Sequence, residues 1–265
     1  MALVITLSAA VYQRRTGPTH PLGGQVSIND SRISFRLERN PVTGEDYEFE
    51  IKVPNPDIQG YILYRRFKTD ENWTKLPLER KEMVLVGRLP TQPPAGKLEY
   101  RVFLVGGEKE VSLSGEKSII IRFKGAVPEA VLIPHVIVMF LAMLFSTRAG
   151  IEALDRKSNP RKLALWTAGL LFTGGMILGP IVQKYAFGAL WTGFPLGFDL
   201  TDNKTLIAMV GWLAAVIAGR GGKPARGWVL GASILLLVAF LIPHSLLGSE
   251  LKYPEAANQE LIRTH

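Results

Sequence analysis

Four charge-free apolar stretches crowd the second half of this 265-residue chain. They cover residues 130–147, 163–183, 205–219 and 227–248. About 20 helical residues cross the ~30 Å hydrocarbon core of a bilayer, and the shortest stretch reaches that length if Lys204 and Arg220 extend towards the two interfaces. The sequence therefore predicts an integral membrane protein in which residues 126–265 form a four-helix transmembrane bundle.

The chain joins two halves of different character. Its hydrophobic share of 47% and mean hydropathy of +0.16 are too mild for a pure membrane protein and too apolar for an ordinary soluble one. The absence of cysteine excludes disulfides, thiolate metal sites and covalently attached haem. The net charge of +8 could suggest nucleic acid, but the basic residues between the apolar stretches lie where membrane orientation needs them. We therefore expect these basic residues to lie at the surface of a lipid bilayer and not to bind nucleic acid.

The basic residues between the predicted spans predict the orientation of the chain. The second connection has two, Lys184 and Lys204, whereas the first and third together have eight: Arg148, Arg156, Lys157, Arg161, Lys162, Arg220, Lys223 and Arg226. Basic connections favour the cytoplasmic side. The N-terminal part and the C-terminus should then face outward, which for a bacterial inner membrane is the periplasmic side.

Residues 1–16 form the first predicted segment. The stretch from Ala2 to Tyr12 is apolar but too short to span a bilayer, and Arg14 and Arg15 follow it. We interpret it as a short N-terminal anchor helix that lies against the bundle.

Residues 17–125 show the alternation of apolar and polar side chains that is typical of strands with one buried face. It is clearest at Ile33–Leu37 and Tyr47–Val53, and turn-forming Pro, Gly and Asn residues separate such segments at short intervals. About seven strands in ~100 residues favour an all-β sandwich. The predicted fold class is thus α+β, with an extracytoplasmic sandwich preceding the membrane bundle.

Part of this domain is similar to known modules. The stretch Tyr61–Phe67 with Trp73 close behind it, followed by Leu98–Leu104, resembles fibronectin type III or immunoglobulin-like domains. The resemblance implies a domain that binds or spaces other proteins, so adhesion or assembly is the expected role of the sandwich.

Two histidines lie inside the apolar stretches, each in the tripeptide Ile-Pro-His. His135 belongs to the first stretch and His244 to the fourth. Ionisable groups within spans are costly and often functional, so one hypothesis is that this pair binds a cofactor: a b-type haem, a metal ion or a quinone. The alternative is that each histidine makes an interhelical hydrogen bond or lies at the interface.

The connection between the second and third spans, residues 185–204, is rich in aromatic residues. It has five aromatic residues and three glycines. One interpretation is an interfacial aromatic belt in which Thr201 or Asp202 caps the third span. The other is a lid over the histidines, with carboxylates from Asp199, Asp202 and Glu250.

Small residues in the second and third spans, such as Gly174, Gly175 and Gly211, permit close helix contact within the bundle or with another subunit. The sequence has no Walker A loop, Rossmann glycine pattern, H-E-x-x-H or G-x-S-x-G motif, so no catalytic residues are predicted. The leading hypothesis is a non-catalytic integral membrane subunit of a larger complex, with membrane or periplasmic protein partners. The alternative is an electron-transfer or cofactor-binding membrane protein that uses His135 and His244.

Overall fold

The computed structural model of this protein describes residues 1–243 together with residues 248 and 251. It confirms a mixed α+β chain with β-sheets and apolar helices. The described residues fall into two compact units: a helical unit of residues 1–18, 126–243 and 248, and a β unit of residues 19–125 and 251.

The β unit is built from three antiparallel sheets. Its described residues form ten strands: β1 (Leu22–Ile28), β2 (Ser31–Leu37), β3 (Tyr47–Lys52), β4 (Ile58–Arg66), β5 (Thr74–Pro77), β6 (Glu79–Lys81), β7 (Val84–Leu89), β8 (Lys97–Gly106), β9 (Lys109–Ser112) and β10 (Ile119–Arg122). The first two form a hairpin, a second sheet has the order β3-β7-β6, and a third has the order β10-β8-β4-β5 with β9 also paired to β8. In the third sheet Ile62 of β4 lies opposite Leu76 on one side and Val102 on the other.

One hydrophobic core receives side chains from all three sheets. The alternation seen in the sequence positions them: Ile33, Phe35 and Leu37 of β2 are buried while the residues between them are exposed. In β8, Tyr100 and Val102 are fully buried in the same way. Burial raises the pKa of the Tyr100 phenol above its ordinary value, because the charged form would be poorly solvated.

Six α-helices make up the described helical unit: α1 (Ala2–Thr16), α2 (Glu129–Leu154), α3 (Arg161–Leu171), α4 (Gly179–Phe187), α5 (Leu200–Ala218) and α6 (Arg226–Leu241). A π-helical segment, Phe172–Leu178, joins α3 to α4 without a break. Helix α2 contacts α3 and α6, helix α5 contacts α3 and α6, and α1 packs on α2 and α6 through Thr6 and Ala9. The core of this unit is rich in alanine, which lets the helix backbones approach closely.

Three helices are long and apolar enough to cross a membrane: α2, the continuous helix Arg161–Phe187, and α5. All three extend beyond the predicted stretches, since α2 continues to Leu154, the continuous helix runs from Arg161 to Phe187, and α5 begins at Leu200. Helix α6 has 16 residues and ends at Leu241, because Pro243 disfavours a helical conformation at Ile242 and has no N–H to donate. Most of the remainder of the predicted fourth span, residues 244–247, lies outside the described residues.

Candidate functional site

His135 makes an interhelical hydrogen bond. It lies half-buried in α2, which continues through Pro134, and its Nδ1 atom is 3.0 Å from the carbonyl oxygen of Gly174. A carbonyl can only accept, so the Nδ1 atom carries the proton, and in the neutral imidazole Nε2 is then the unprotonated nitrogen. The imidazole therefore satisfies one polar group in an apolar region and keeps one nitrogen for a further ligand.

The hydrogen-bond partner of His135 belongs to the π-helical segment. The carbonyl of Gly174 accepts the backbone N–H of Gly179, five residues on, in addition to the contact with His135. A Cβ atom on Gly174 would lie 2.7 Å from the Sδ atom of Met139, and one on Gly175 would lie 2.7 Å from a methyl carbon of Thr205. The glycine pair thus lets the segment approach α2 and α5, and π-helical turns of this kind often occur at functional sites.

His244 lies outside the described residues, as does Glu250. The structure consequently neither brings His244 to His135 nor separates them, and the cofactor-binding pair stays a prediction.

The carboxylates of the aromatic connection hold its backbone in place. Asp199 caps α5 by accepting the N–H of Thr201 at 2.8 Å, so the prediction that Thr201 or Asp202 is the cap was wrong. Asp202 is buried, and its Oδ2 atom accepts the backbone N–H of Thr192 at 2.7 Å and the side chain of Gln183 at 3.1 Å. These bonds tie the connection to α4 and α5, which is a structural role.

Lys204 caps the C-terminus of α6. Its side chain is only 8% exposed, and its ammonium group donates to the carbonyl oxygen of Ile242, just beyond α6. A cation is favourable at a helix C-terminus because the last carbonyl groups carry partial negative charge. The sequence indicated only that Lys204 could extend towards an interface, since the partner depends on where α6 ends.

The fixed connection presents apolar side chains outward. Phe194, Leu196 and Phe198 are 65%, 77% and 92% exposed. The side chain of Asn203 accepts the N–H of Phe194 at 2.7 Å, and the carbonyl oxygen of Gly193 accepts the N–H of Leu196 at 2.9 Å. Exposed apolar groups on an ordered loop favour contact with a membrane or another protein.

An apolar groove runs along the surface between α5 and α6. It has a volume of about 410 Å³ and is lined mainly by small side chains and one tryptophan: Gly211, Ala214, Gly227, Trp228, Gly231 and Leu235. Cβ atoms on Gly227 and Gly231 would meet no atom within 4 Å, and Trp228 is 60% exposed. Sequence reasoning identified Gly211 but missed Gly227 and Gly231, which the spacing Gly-x-x-x-Gly could have revealed.

Within the described part of the chain, no cluster of three His, Asp or Glu side chains could hold a metal ion. Neither a protein-family model nor a curated protein matches this sequence. Function must therefore be inferred from the geometry alone.

Proposed function

We propose that the protein is a non-catalytic integral membrane subunit of a larger complex in a bacterial inner membrane. In this proposal α2, the α3–α4 helix, α5 and α6 form a four-helix transmembrane bundle. The β unit is a sandwich of fibronectin type III or immunoglobulin-like type that docks protein partners on the periplasmic side. The observation that carries the proposal is the open groove between α5 and α6.

The groove suits a transmembrane helix of another subunit. In a bilayer, helices associate through close backbone packing, and Gly-x-x-x-Gly faces allow the closest approach. Gly227 and Gly231 have that spacing and are exposed, with open space where side chains would lie. Because the described helices of this chain leave these glycines uncovered, a partner helix can reach their backbone.

Much of the remaining helix surface is also uncovered. Only 22% of the most apolar 18-residue window is buried in α2, and the same share in Arg161–Phe187. Surface of this kind is costly in water and favourable against lipid or other spans. This supports membrane embedding with room for further subunits.

The β unit has a half-exposed face that suits protein docking. Across β4 and β8 the rings of Tyr61 and Phe103 stack at 4.9 Å, and the ammonium group of Lys75 lies 3.8 Å from the Tyr61 ring centre. Nearby, the Arg65 guanidinium lies 4.7 Å from the Trp73 ring centre. Aromatic and arginine side chains are enriched at protein interfaces, which favours this face for an extracytoplasmic partner.

A groove-filling substitution tests the proposal. We expect the wild-type protein, extracted in mild detergent, to migrate on native gels above the monomer with co-purifying chains. Gly231→Ile should abolish or strongly reduce that association, because its side chain occupies the groove. Gly169→Ile is the matched control, since Gly169 is also free of neighbours within 4 Å but lies on α3 and does not line the groove. Migration of the wild-type protein as a bare monomer would contradict the proposal.

The alternative, a cofactor-binding membrane protein, is favoured by the orientation of His135. Metal-ligating histidines commonly donate Nδ1–H to a backbone carbonyl, which leaves Nε2 for the metal, and His135 has that arrangement with Gly174. We expect a visible absorption spectrum to decide it. A Soret band that disappears in both His135→Ala and His244→Ala would establish haem ligation by the pair, whereas a colourless wild-type preparation would exclude haem.

A further inference from the structure

Two connections of the helical unit meet to form one basic surface. The side chain of Asn159, between α2 and α3, donates to the carbonyl oxygen of Gly222, between α5 and α6, at 3.2 Å. Arg226 donates to the carbonyl oxygens of Arg156 and Ser158, the latter at 2.9 Å. We call this surface the basic end, and its basic residues are Arg148, Arg156, Lys157, Arg161, Lys162, Arg220, Lys223 and Arg226.

The charge of the basic end is largely uncompensated. All of its basic residues except the half-buried Arg226 are exposed, and in the described part of the chain none of them forms an ion pair. The nearby acids are Glu152 and Asp155. The carboxylate of Asp155 accepts the N–H of Lys157 at 2.9 Å and the hydroxyl of Ser158 at 2.8 Å, and these bonds lower its pKa. Two carboxylates against eight basic groups leave a strong positive field.

Two helices begin in this field with an unusual residue order. Helix α3 begins with Arg161 and Lys162, and α6 begins with Arg226; neither has an acidic residue in its first turn. The N-cap residue of neither helix makes a side-chain cap, although Oδ1 of Asn159 accepts the backbone N–H of Arg161 at 3.2 Å. A helix N-terminus carries partial positive charge, so acidic or Ser/Asp capping residues are favoured there and cations are disfavoured. The preference for basic cytoplasmic connections explains the sign of these charges but not their place at two helix starts. A bound anion would stabilise both the helix N-termini and the basic side chains beside them.

We propose that the basic end binds the phosphate groups of anionic phospholipid headgroups. The inference rests on the proposed membrane embedding, which places the starts of α3 and α6 at headgroup level on the cytoplasmic side. Arginine guanidinium groups match phosphate oxygens with paired hydrogen bonds, and basic clusters between spans on this side suit anionic headgroups.

The test compares the full-length protein in bilayer nanodiscs of phosphatidylcholine alone and of phosphatidylcholine with phosphatidylglycerol. We expect phosphatidylglycerol to raise the thermal unfolding midpoint of the wild-type protein by about 2–4 °C. The double variant Arg161→Gln/Lys162→Gln should lose at least half of that shift. The control Arg14→Gln/Arg15→Gln, which removes the same charge from the end of α1, should retain it.

A third arm adds inorganic phosphate to the protein in phosphatidylcholine. If phosphate alone reproduces the shift, the basic end takes phosphate from solution and the lipid assignment is overturned. Indifference of the wild-type protein to phosphatidylglycerol, or an equal loss in the control, overturns the site itself. Alkaline carbonate extraction distinguishes failure of this inference from failure of the proposed function. Release of the protein by carbonate would show that it is not an integral membrane protein. Retention without any response to phosphatidylglycerol would contradict only the lipid-binding inference.

Discussion

At the scale of single residues, three charged side chains in the connection between α4 and α5 and in the first turns of α5 stabilise the local structure through hydrogen bonds. Asp199 caps the N-terminus of α5, and Asp202 accepts hydrogen bonds from Thr192 and Gln183. Lys204 donates to the carbonyl oxygen of Ile242 at the C-terminus of α6. Each charge meets a partner that a buried ionic group requires, namely backbone N–H groups, an amide or a helix C-terminus. These bonds fix the connection between α4 and α5, whose apolar side chains face outward.

Removal of the Asp202 carboxylate should loosen that loop. Asp202→Ala leaves the backbone N–H of Thr192 without its acceptor and removes one of the two acceptors of the Gln183 amide, which also donates to the Thr192 hydroxyl at 2.6 Å, at a cost of about 1–3 kcal/mol. Since ~1.4 kcal/mol corresponds to a factor of ten, chymotrypsin cleavage after Phe198 should accelerate about fivefold or more. Asp202→Asn keeps an acceptor oxygen and should recover much of the protection.

The control for this prediction is Asp70→Ala. Asp70 is exposed in the β unit, so its loss should leave the cleavage rate after Phe198 unchanged. Equal rates for wild type and Asp202→Ala would mean that the carboxylate does not hold the loop.

At the scale of elements, sequence periodicity predicted the longer strands and the apolar helices. The alternation at Ile33–Leu37 and Tyr47–Val53 corresponds to β2 and β3, with Tyr47 half-buried and the other apolar positions buried. The short strands β5, β6 and β9 have only three or four residues, which is too few alternations to identify, and their pairing is fixed by long-range contacts with β4, β7 and β8.

The site was less predictable than the fold for a related reason. The sequence identified His135 as a polar group in an apolar helix, but its partner depends on the π-helical segment, whose single extra residue per turn has no distinctive pattern. The caps of α5 and α6 likewise depend on helix boundaries, which local propensity places only within a few residues. Glycine spacing was the one overlooked signal, at Gly227 and Gly231.

At the scale of the whole molecule, charge and apolarity together predict how the chain sits in a membrane. The basic end collects eight Lys and Arg residues, whereas the aromatic connection at the other ends of α4 and α5 presents apolar side chains. The positive-inside tendency predicts that the basic end faces the cytoplasm and the β unit the periplasm. This sidedness stays a prediction.

Single cysteines in this cysteine-free chain provide its test. Lys157 at the basic end and Glu108 in the β unit are both exposed, so neither substitution disturbs a buried contact. We expect Glu108→Cys to react with a membrane-impermeant maleimide once the periplasm is accessible, and Lys157→Cys to react only after the inner membrane is permeabilised. Full reaction of both after permeabilisation controls for intrinsic reactivity. The reverse pattern would place the β unit in the cytoplasm, and it would also remove the periplasmic partner from the proposed function, because the docking face of the β unit would then meet cytoplasmic proteins.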